Sequence, residues 1–402
     1  MNLEVILDYL NRQKGLMQIT EDDILCVLNN PANFHGHARR DQEAMYVIPY
    51  MKRQFYAQQM MPNVLVSEIG DSNVGITSLD KLRWYRDHIL NISGKSESFL
   101  PIFSFYLNSG LSVSDIRIAK QEGLIGNVKF YPKGGTTNSE NGLTELKSVR
   151  AQLECMADLG IVFSIHGETP EYQSGACIHR DKREPAFYQS TGKQLMKWYT
   201  GPIVAEHIST RTGCEFVKSY DNVFATITPH HMLFTNDVIF HKAKIKGDFY
   251  EIESKMGLYP SMVCMPVLKP EDDLDAIRNL LYWQYKNQKS KVFLGDDTAI
   301  HMPEKKYTEG CACGVFTSPI SLEMYFMAFL AFEKTEPGFM NEFQRFASDI
   351  GLGVYGIKPK KAYKRIAIVR NPNPVQDHYH GAITPFAGQI LPWQAIDVTL
   401  AG

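Results

Sequence analysis

Short runs of apolar and β-branched residues alternate with helix-length segments along most of this chain. Helical periodicity is clearest over residues 78–90, 144–160 and 271–285. Strands that alternate with helices are typical of parallel sheets with right-handed crossovers. Eight such units predict an α/β fold, the (β/α)8 TIM barrel. The eight apolar runs end within residues 33–37, 58–63, 102–108, 127–132, 161–168, 202–209, 224–231 and 292–297.

A doubly wound open sheet is the structural alternative to a barrel. That fold binds dinucleotides through a glycine-rich turn after a strand, and no predicted strand of this chain is followed by the glycine fingerprint. The barrel is therefore favoured. In a barrel the carboxyl ends of all the strands share one rim, and the catalytic residues of barrel enzymes lie there.

The first 30 residues precede the barrel pattern. Within them, VILDYL and the later EDDILCVL have the amphipathic character of two short helices. We therefore divide the chain into an N-terminal helical extension, residues 1–30, and a barrel domain, residues 31–402.

Composition narrows the classes of function. Of the 402 residues, 44% are hydrophobic and 21% are charged, which is typical of a soluble globular protein. The net charge of −2 provides no basic footprint for nucleic acid or for an anionic membrane surface. No apolar run approaches the roughly 18 residues that span a bilayer, and the early acidic residues of the N-terminus are unlike a signal peptide. We expect neither a nucleic-acid partner nor a membrane partner.

The cysteines indicate a reduced, cytoplasmic protein. There are seven, an odd and modest number without regular spacing. Cys311 and Cys313 form a close pair, but no second Cys or His pair follows at the spacing of a zinc finger, so ordinary loop cysteines are favoured.

Polar residues that could bind metal or substrate are concentrated at the ends of the predicted strands. Any one of the histidines alone would more often be a core or surface residue, but a barrel would bring the whole set to one rim. His35 and His37 are two residues apart on one strand, so both imidazoles face the same side. Together with the imidazoles and the carboxylate at the ends of later strands, they predict a site in which nitrogen and oxygen atoms bind Zn²⁺ or a similar ion. The strand-end residues are His35, His37, Asn63, Asn108, Lys129, His166, His207, His230 and Asp297.

Lys129 is the unusual member of this set, because it lies inside the apolar strand NVKFYP. Exposure on a half-buried strand is the simple interpretation, since burial of an unpaired ammonium costs several kcal/mol. An ammonium group cannot bind a cation, because it has no lone pair. A lysine carboxylated by CO₂ would instead be an anion with two oxygen donors, and it could bridge two metal ions.

Several local strings together resemble the amidohydrolase superfamily, and most closely the bacterial-type dihydroorotases. The resemblance covers about residues 31 to 400, and its specificity comes from the order and spacing of many motifs. They are HGHARRD (35–41), MPN (61–63), VKFYP with TTNS (128–139), IHGE (165–168), EHIST (206–210), ATITPHHMLF (225–234), CMPVLK (264–269), FLGDDTAIH (293–301) and SPISL (318–322).

The resemblance implies a binuclear zinc site and a reaction. His35, His37 and Asp297 resemble the ligands of one zinc ion, and His166 and His207 those of the second. Lys129 resembles the carboxylated lysine that bridges both ions. The implied reaction is the reversible interconversion of L-dihydroorotate and N-carbamoyl-L-aspartate in pyrimidine synthesis. In it, a hydroxide held between the ions attacks the ring carbonyl, and Asp297 acts as general base and acid.

The resemblance also implies a set of substrate contacts. A guanidinium group grips a carboxylate with two parallel hydrogen bonds, which suits Arg39 to the carboxylate of the substrate. Asn63 and His301 resemble further carboxylate and ring contacts, and the backbone near Met265 and Ser318 resembles positions that read the ring edge. Thr136 and Thr137 lie in a Gly-rich loop that resembles a mobile lid. A homodimer is also implied.

The sequence differs from the family pattern in three places. Gly36 stands between the two histidines where the family has a bulky residue, an additional Arg40 displaces Asp41 by one position, and segment 242–262 is longer than the corresponding loop. Another cyclic-amide hydrolase, similar to a hydantoinase or imidase, is therefore an alternative function. A catalytically silent scaffold is disfavoured, because every expected ligand type is present. The other histidines are interpreted as loop, packing or surface residues: His88, His179, His230, His231, His241, His378 and His380.

Overall fold

The computed structural model describes residues 3–13, 15–66, 74–172 and 174–399. Its strands are β1 (Ile24–Asn29), β2 (Ala32–His37), β3 (Ala57–Met60), β4 (Leu100–Ile102), β5 (Ser104–Tyr106), β6 (Asn127–Phe130), β7 (Val162–His166), β8 (Ile203–Glu206), β9 (Val223–Ile227), β10 (His241–Lys246), β11 (Phe249–Met256), β12 (Val292–Leu294), β13 (Thr298–Ala299), β14 (Arg365–Val369), β15 (Asn373–Pro374), β16 (Ile390–Leu391) and β17 (Gln394–Asp397).

The α-helices are α1 (Leu3–Asn11), α2 (Asp41–Gln54), α3 (Leu79–Ser93), α4 (Val113–Gln121), α5 (Arg150–Asp158), α6 (Arg183–Phe187), α7 (Lys193–Leu195), α8 (Arg211–Ser219), α9 (Pro229–Leu233), α10 (Glu271–Lys286), α11 (Pro303–Lys306), α12 (Ser321–Glu333), α13 (Asn341–Gln344) and α14 (Ile350–Val354). One π-helical turn, Tyr188–Gly192, joins α6 to α7, and another, Arg345–Asp349, joins α13 to α14.

Eight parallel barrel strands form the centre of the fold, as the alternating pattern predicts. Hydrogen bonds connect β12-β9-β8-β7-β6-β5 in one sheet and β13-β2-β3-β4 in another. The strand pair β4 and β5 is one barrel strand interrupted at Phe103, and β12 and β13 are another, interrupted at 295–297. These two interrupted strands each pair with both sheets and so close the barrel. The TIM-barrel prediction is confirmed.

Two of the three predicted helices match closely, and one is shorter. Residues 78–90 and 271–285 correspond to α3 and α10. Ser78 caps α3 by accepting a hydrogen bond from the Lys81 N–H. The pattern over 144–160 becomes a 3-10 turn, Leu146–Val149, followed by α5.

The second helix predicted in the N-terminal extension is wrong. Residues 24–29 form strand β1, which pairs antiparallel with β14, and β14 pairs with β17. Helix α1 is present and packs Ile6 and Leu10 against this three-stranded sheet. A pairing partner more than 300 residues away is invisible to local periodicity, which explains the error. The domain division at residue 30 stays a prediction, although β1 shares a sheet with C-terminal strands.

The long segment 242–262 contains most of a β-hairpin. Strands β10 and β11 pair antiparallel, with their turn around Gly247. Among the described residues, no helix has the length and apolar character that crossing a bilayer would require.

The packing of aromatic rings around Phe34 leads to a prediction about stability. The Phe34 ring packs against Phe293 and Tyr355, with centroid distances of 5.4 and 4.5 Å. A Cβ at Gly351 would collide with Phe34, whereas one at Gly353, in the same helix, would meet nothing within 4 Å. We expect Gly351→Ala to lower the free energy of unfolding by about 1–3 kcal/mol through overpacking.

The matched control is Gly353→Ala, which we expect to be neutral or stabilising by up to about 1 kcal/mol because alanine favours helix. Urea or thermal unfolding followed by circular dichroism measures both variants. Equal stability of the two variants would contradict the packing described around Phe34.

Candidate active site

One carboxylate lies between the two imidazoles of strand β2. The Nε2 atoms of His35 and His37 are each 3.1 Å from the Oδ1 atom of Asp297. Asp297 occupies the interruption of the last barrel strand, where a left-handed backbone with φ of 48° turns its side chain toward β2. Its N–H donates to the carbonyl of His35 over 3.0 Å, which fixes the two strand ends together.

Gly36 fits the space that is left between these histidines. A Cβ at this position would collide with the side-chain amide of Gln58 and lie 3.0 Å from Cε of Met51. Gln58 therefore fills the room that a bulkier residue would need. The additional Arg40 pairs with Asp41, whose side chain is exposed on the outside of the site. Asp41 is accordingly not among the residues that the fold brings to the rim.

A second pair of imidazoles lies on the neighbouring strands β7 and β8. His166 Nδ1 is 3.1 Å from His207 Nε2, and His166 Nε2 is 2.9 Å from a carboxylate oxygen of Glu168. His207 has a left-handed φ of 42° and donates its N–H to Thr226 Oγ1 over 2.8 Å. The Glu168 contact fixes the direction of the His166 ring, and the backbone bond fixes the position of His207.

Lys129 is fully buried, so simple exposure does not explain its place in the strand. Its amine contacts the carboxylate of Glu206, which also lies 3.0 Å from His35 Nδ1. The amine is 5.1 Å from the centre of the Tyr131 ring. Burial drives the pKa of Lys129 well below its usual value, which favours the neutral amine that can react with CO₂.

Burial also keeps the imidazoles neutral. It lowers the pKa of His35 and of His166, and burial together with the charge of Arg39 lowers that of His37 to about 3. Burial alone would raise the pKa of Asp297, but its contacts with the rings of His35 and His37 hold that pKa well below its usual range. The site therefore combines uncharged nitrogen donors with a carboxylate anion at neutral pH.

The directions of the rings fit a metal site. Asn63 donates its Nδ2 to the Thr137 carbonyl, so its Oδ1, 3.0 Å from His37 Nδ1, accepts the proton of that nitrogen. The lone pair of Nε2 then faces the carboxylate of Asp297, an arrangement that is repulsive unless a cation lies between them. His166 is similar, because Glu168 accepts from Nε2 and leaves the lone pair of Nδ1 for a metal.

Distances between the donors support the same conclusion. Ligand atoms of His35, His207 and Asp297 all lie within 4.8 Å of one another. Two nitrogens on one tetrahedral zinc ion are about 3.3 Å apart, given Zn–N bonds of about 2.0–2.1 Å. The His166 and His207 nitrogens, at 3.1 Å, are close to that separation. The residues present therefore suit a divalent metal ion.

A buried guanidinium group lies at the other side of the histidines. Arg39 is only 6% exposed, and its Nη atoms are 3.5 Å from His37 Nδ1 and 3.3 Å from His301 Nε2. Within the ranges that the structure describes, no carboxylate lies at ion-pair distance from Arg39. His301 in turn lies 2.9 Å from the Cys313 carbonyl, and burial followed by the charge of Arg39 lowers its pKa to about 2. This corner of the site has a positive charge that lacks an anion.

A cavity is lined by the four histidines, Asp297, Thr136 and Met265. The threonine loop closes on Asn63, because Asn63 donates to the Thr137 carbonyl and Asn138 donates to the Asn63 carbonyl.

Ser318 is buried outside the cavity lining, with its N–H donated to Thr298 and its carbonyl bonded to Gln54. Asn108 accepts from Gly110 and Leu111 in its own turn.

Two residues that contact the proposed ligands were not singled out from the sequence. Glu206 immediately precedes His207, and Glu168 follows His166 by two positions. Both carboxylates lie at the ends of predicted strands, so a search for acids next to strand-end histidines would have found them. His88, His179, His241, His378 and His380 lie at least partly exposed, as predicted, whereas His230 and His231 are buried.

Comparison with known proteins gives consistent relatives. No protein-family model matches the chain. A dihydroorotase of Hahella chejuensis is 31% identical over 374 residues, covering 92% of this chain and 98% of that protein. The crystal structure of dihydroorotase from Campylobacter jejuni has a TM-score of 0.73 and 30% identity, covering 92% of this chain and 96% of that one.

A second solved structure supports the fold. The structure of dihydroorotase from Saccharomyces cerevisiae in complex with 5-fluoroorotic acid has a TM-score of 0.77 and 23% identity, covering 92% of this chain and 98% of that one. The similarity to these enzymes thus extends over nearly the whole chain in sequence and in structure. Together with the strand-end histidines, it shows that this chain belongs to the dihydroorotase family, whose members are hydrolases of a cyclic amide.

Proposed function

We propose that this protein is a zinc-dependent dihydroorotase that interconverts L-dihydroorotate and N-carbamoyl-L-aspartate. The observation that carries the choice of substrate is the buried guanidinium of Arg39, which lies beside His37 and His301 without a carboxylate partner among the described residues. Such a group is costly unless it meets an anion. Dihydroorotate brings a carboxylate next to the amide that is hydrolysed.

The metal ligands in this proposal are His35, His37 and Asp297 for one zinc ion and His166 and His207 for a second. Lys129, carboxylated on its amine, would bridge the two ions. Bound zinc supplies a water of lowered pKa and polarises the substrate carbonyl. Glu168 accepts from Nε2 of His166, which orients that ring, and a carboxylate oxygen of Glu206 lies 3.0 Å from Nδ1 of His35.

Asp297 handles the proton in the hydrolytic direction. Water adds its oxygen to the ring carbonyl carbon, and Asp297 takes the proton that leaves this water. The carbon–nitrogen bond of the ring then breaks, and Asp297 returns the proton to the departing nitrogen. The products are a carboxylate and a ureido group, so atoms and charges balance once the new acid ionises. The low pKa of Asp297 keeps it in the form that accepts the proton.

Arg39 binds the substrate carboxylate, with Asn63 and His301 beside it. Thr136 faces the cavity, and Thr137 is tied to Asn63, so the threonine loop can cover bound substrate and exclude water. Met265 forms part of the opposite wall. The homodimer and the cytoplasmic location remain predictions.

An activity assay on three ring compounds tests the proposal. The loss of far-ultraviolet absorbance on ring opening is followed for dihydroorotate, for dihydrouracil, which lacks the carboxylate, and for hydantoin. We expect kcat/KM to be highest for dihydroorotate by at least about 100-fold, because only this substrate pairs with Arg39. Comparable rates on all three would favour a general cyclic-amide hydrolase, and no hydrolysis by the zinc-loaded protein would favour a silent scaffold.

Arg39→Gln tests the source of the selectivity. We expect kcat/KM for dihydroorotate to fall about 10- to 100-fold, since a hydrogen bond to a charged group contributes about 1.5–3 kcal/mol. The rate on dihydrouracil should change little. Arg40→Gln is the matched control, because Arg40 pairs with Asp41 and with the Leu65 carbonyl rather than with the cavity. An equal loss on both substrates in Arg39→Gln would assign Arg39 a structural role.

Glu168→Gln tests the contact that orients His166. Replacement of the carboxylate by an amide weakens the acceptor for Nε2, and we expect zinc affinity to fall about 10- to 100-fold. Competition with a chromogenic chelator measures this affinity. Glu171→Gln, an exposed change on the same loop, should leave it unaltered. Unchanged affinity in Glu168→Gln would remove His166 from the proposed ligand set.

A further inference from the structure

A second group of metal-binding side chains lies outside the central site. His230, His231 and Cys264 are all buried, and each offers a ligand atom within 4.8 Å of the others. None of the three is among the ligands proposed for the two central ions. Their chemistry is also different, because this group contains sulfur and the central set contains only nitrogen and oxygen donors.

Local structure brings these three residues together. Strand β9 ends at Ile227, and Thr228 caps the following helix α9 by accepting from the His231 N–H. The helix therefore starts with the two imidazoles directly beyond a barrel strand. Cys264 approaches from the segment that leads to α10, and its neighbour Met265 lines the central cavity.

His231 has the contacts expected of a metal-binding histidine. One ring nitrogen can bind an ion while a hydrogen bond to the other nitrogen holds the ring in place. Its Nδ1 lies 2.8 Å from Thr228 Oγ1, and its Nε2 lies 3.1 Å from the Pro266 carbonyl oxygen. The Cys264 thiol donates to the same carbonyl oxygen over 3.2 Å. Two donors thus converge on one acceptor, and the hydroxyl of Thr228 can hold the imidazole when Nε2 binds a cation instead.

His230 is the independent sign that a ligand belongs here. The residue is completely buried, and in the part of the chain that the structure describes neither ring nitrogen has a hydrogen-bond partner. A buried imidazole has one donor and one acceptor, and leaving both unmet is unfavourable. The ring centre of His230 is 4.8 Å from that of His231, so the same ion can reach both.

The protonation states of the three side chains suit metal binding. Burial lowers the pKa of His230 to about 4 and that of His231 well below its usual value, so both rings are neutral. The nearby ammonium of Lys306 is bonded to the carbonyls of Val263, Ala312 and Gly314, and that of Lys269 to Val267. Burial raises the pKa of Cys264 to about 12, and metal binding would displace its proton and supply a compensating negative charge.

We propose that His230, His231 and Cys264 bind an additional divalent metal ion, of the class of zinc, beside the central site. Two imidazoles and one thiolate are a donor set that zinc and cobalt prefer to magnesium or calcium. The Pro266 carbonyl lies close enough to the donors to complete the shell. The ion would join helix α9 to the segment 264–266 and so fix Met265 in the wall of the cavity.

Cobalt substitution tests this site without reference to activity. The purified full chain, stripped of metal and titrated with Co²⁺, should develop a near-ultraviolet thiolate-to-cobalt charge-transfer band, which nitrogen and oxygen ligands alone do not produce. Cys264→Ser should abolish the band and lower bound cobalt by one ion per chain. Cys313→Ser and Cys311→Ser are matched controls, since Cys313 lines the central cavity and Cys311 lies two residues before it, and they should keep the band.

His230→Gln provides a second variant in case Cys264→Ser does not fold, and it should weaken or shift the band. Absence of the band from the wild-type protein, its survival in Cys264→Ser, or its loss in a control variant would overturn the proposal. The result is independent of the proposed function, because the central ions are counted separately through the cobalt that remains in Cys264→Ser.

Discussion

The amine of Lys129, buried against the carboxylate of Glu206, is the contact on which the rest of the site depends. Because burial favours the neutral amine of Lys129, Glu206 is a buried carboxylate, which is costly unless it is paired. The same carboxylate reaches His35, so the amine, the acid and the first histidine form one connected group. Any change in the state of Lys129 therefore affects the direction of the first proposed metal ligand.

The buried charges around this contact explain why metal ions would bind here. Three buried carboxylates, those of Glu168, Glu206 and Asp297, surround imidazoles that burial keeps neutral. Among the cations nearby, Lys129 has a charged form that burial disfavours, and Arg39 lies beside His37 and His301. Negative charge is thus in excess at the rim, and divalent metal ions would neutralise it. Carboxylation of Lys129 would add a further anion that two such ions can share.

The barrel fold brings these charged residues close together. Residues of five different strands meet because every parallel strand ends at the same rim. Where a regular strand would aim the side chain elsewhere, the backbone departs from the regular form. Arg39, His207 and Asp297 all adopt left-handed φ values, of 63°, 42° and 48°. Such conformations are unfavourable for these residue types and are concentrated at functional sites.

Much of this arrangement could be predicted from the sequence. The strands and the strand-end histidines follow a local pattern, so their common rim could be inferred from the fold class alone. Strand β1 was mistaken for a helix because its pairing with β14 links distant parts of the chain. The sequence does not single out Glu206, because it reads as one more strand residue before a histidine. His230 is recognised at a strand end, but its position next to Cys264 depends on a distant segment. Long-range contacts decide each of these cases.

The most direct test of the account is the chemical state of Lys129. Metal-loaded protein prepared in carbon-13 bicarbonate would be observed by carbon-13 magnetic resonance. We expect a carbamate resonance that corresponds to one labelled carbon per chain and that disappears in Lys129→Arg. Full metal content and activity without any incorporated carbon, or an unchanged resonance in Lys129→Arg, would contradict the claim that this lysine bridges the metal ions.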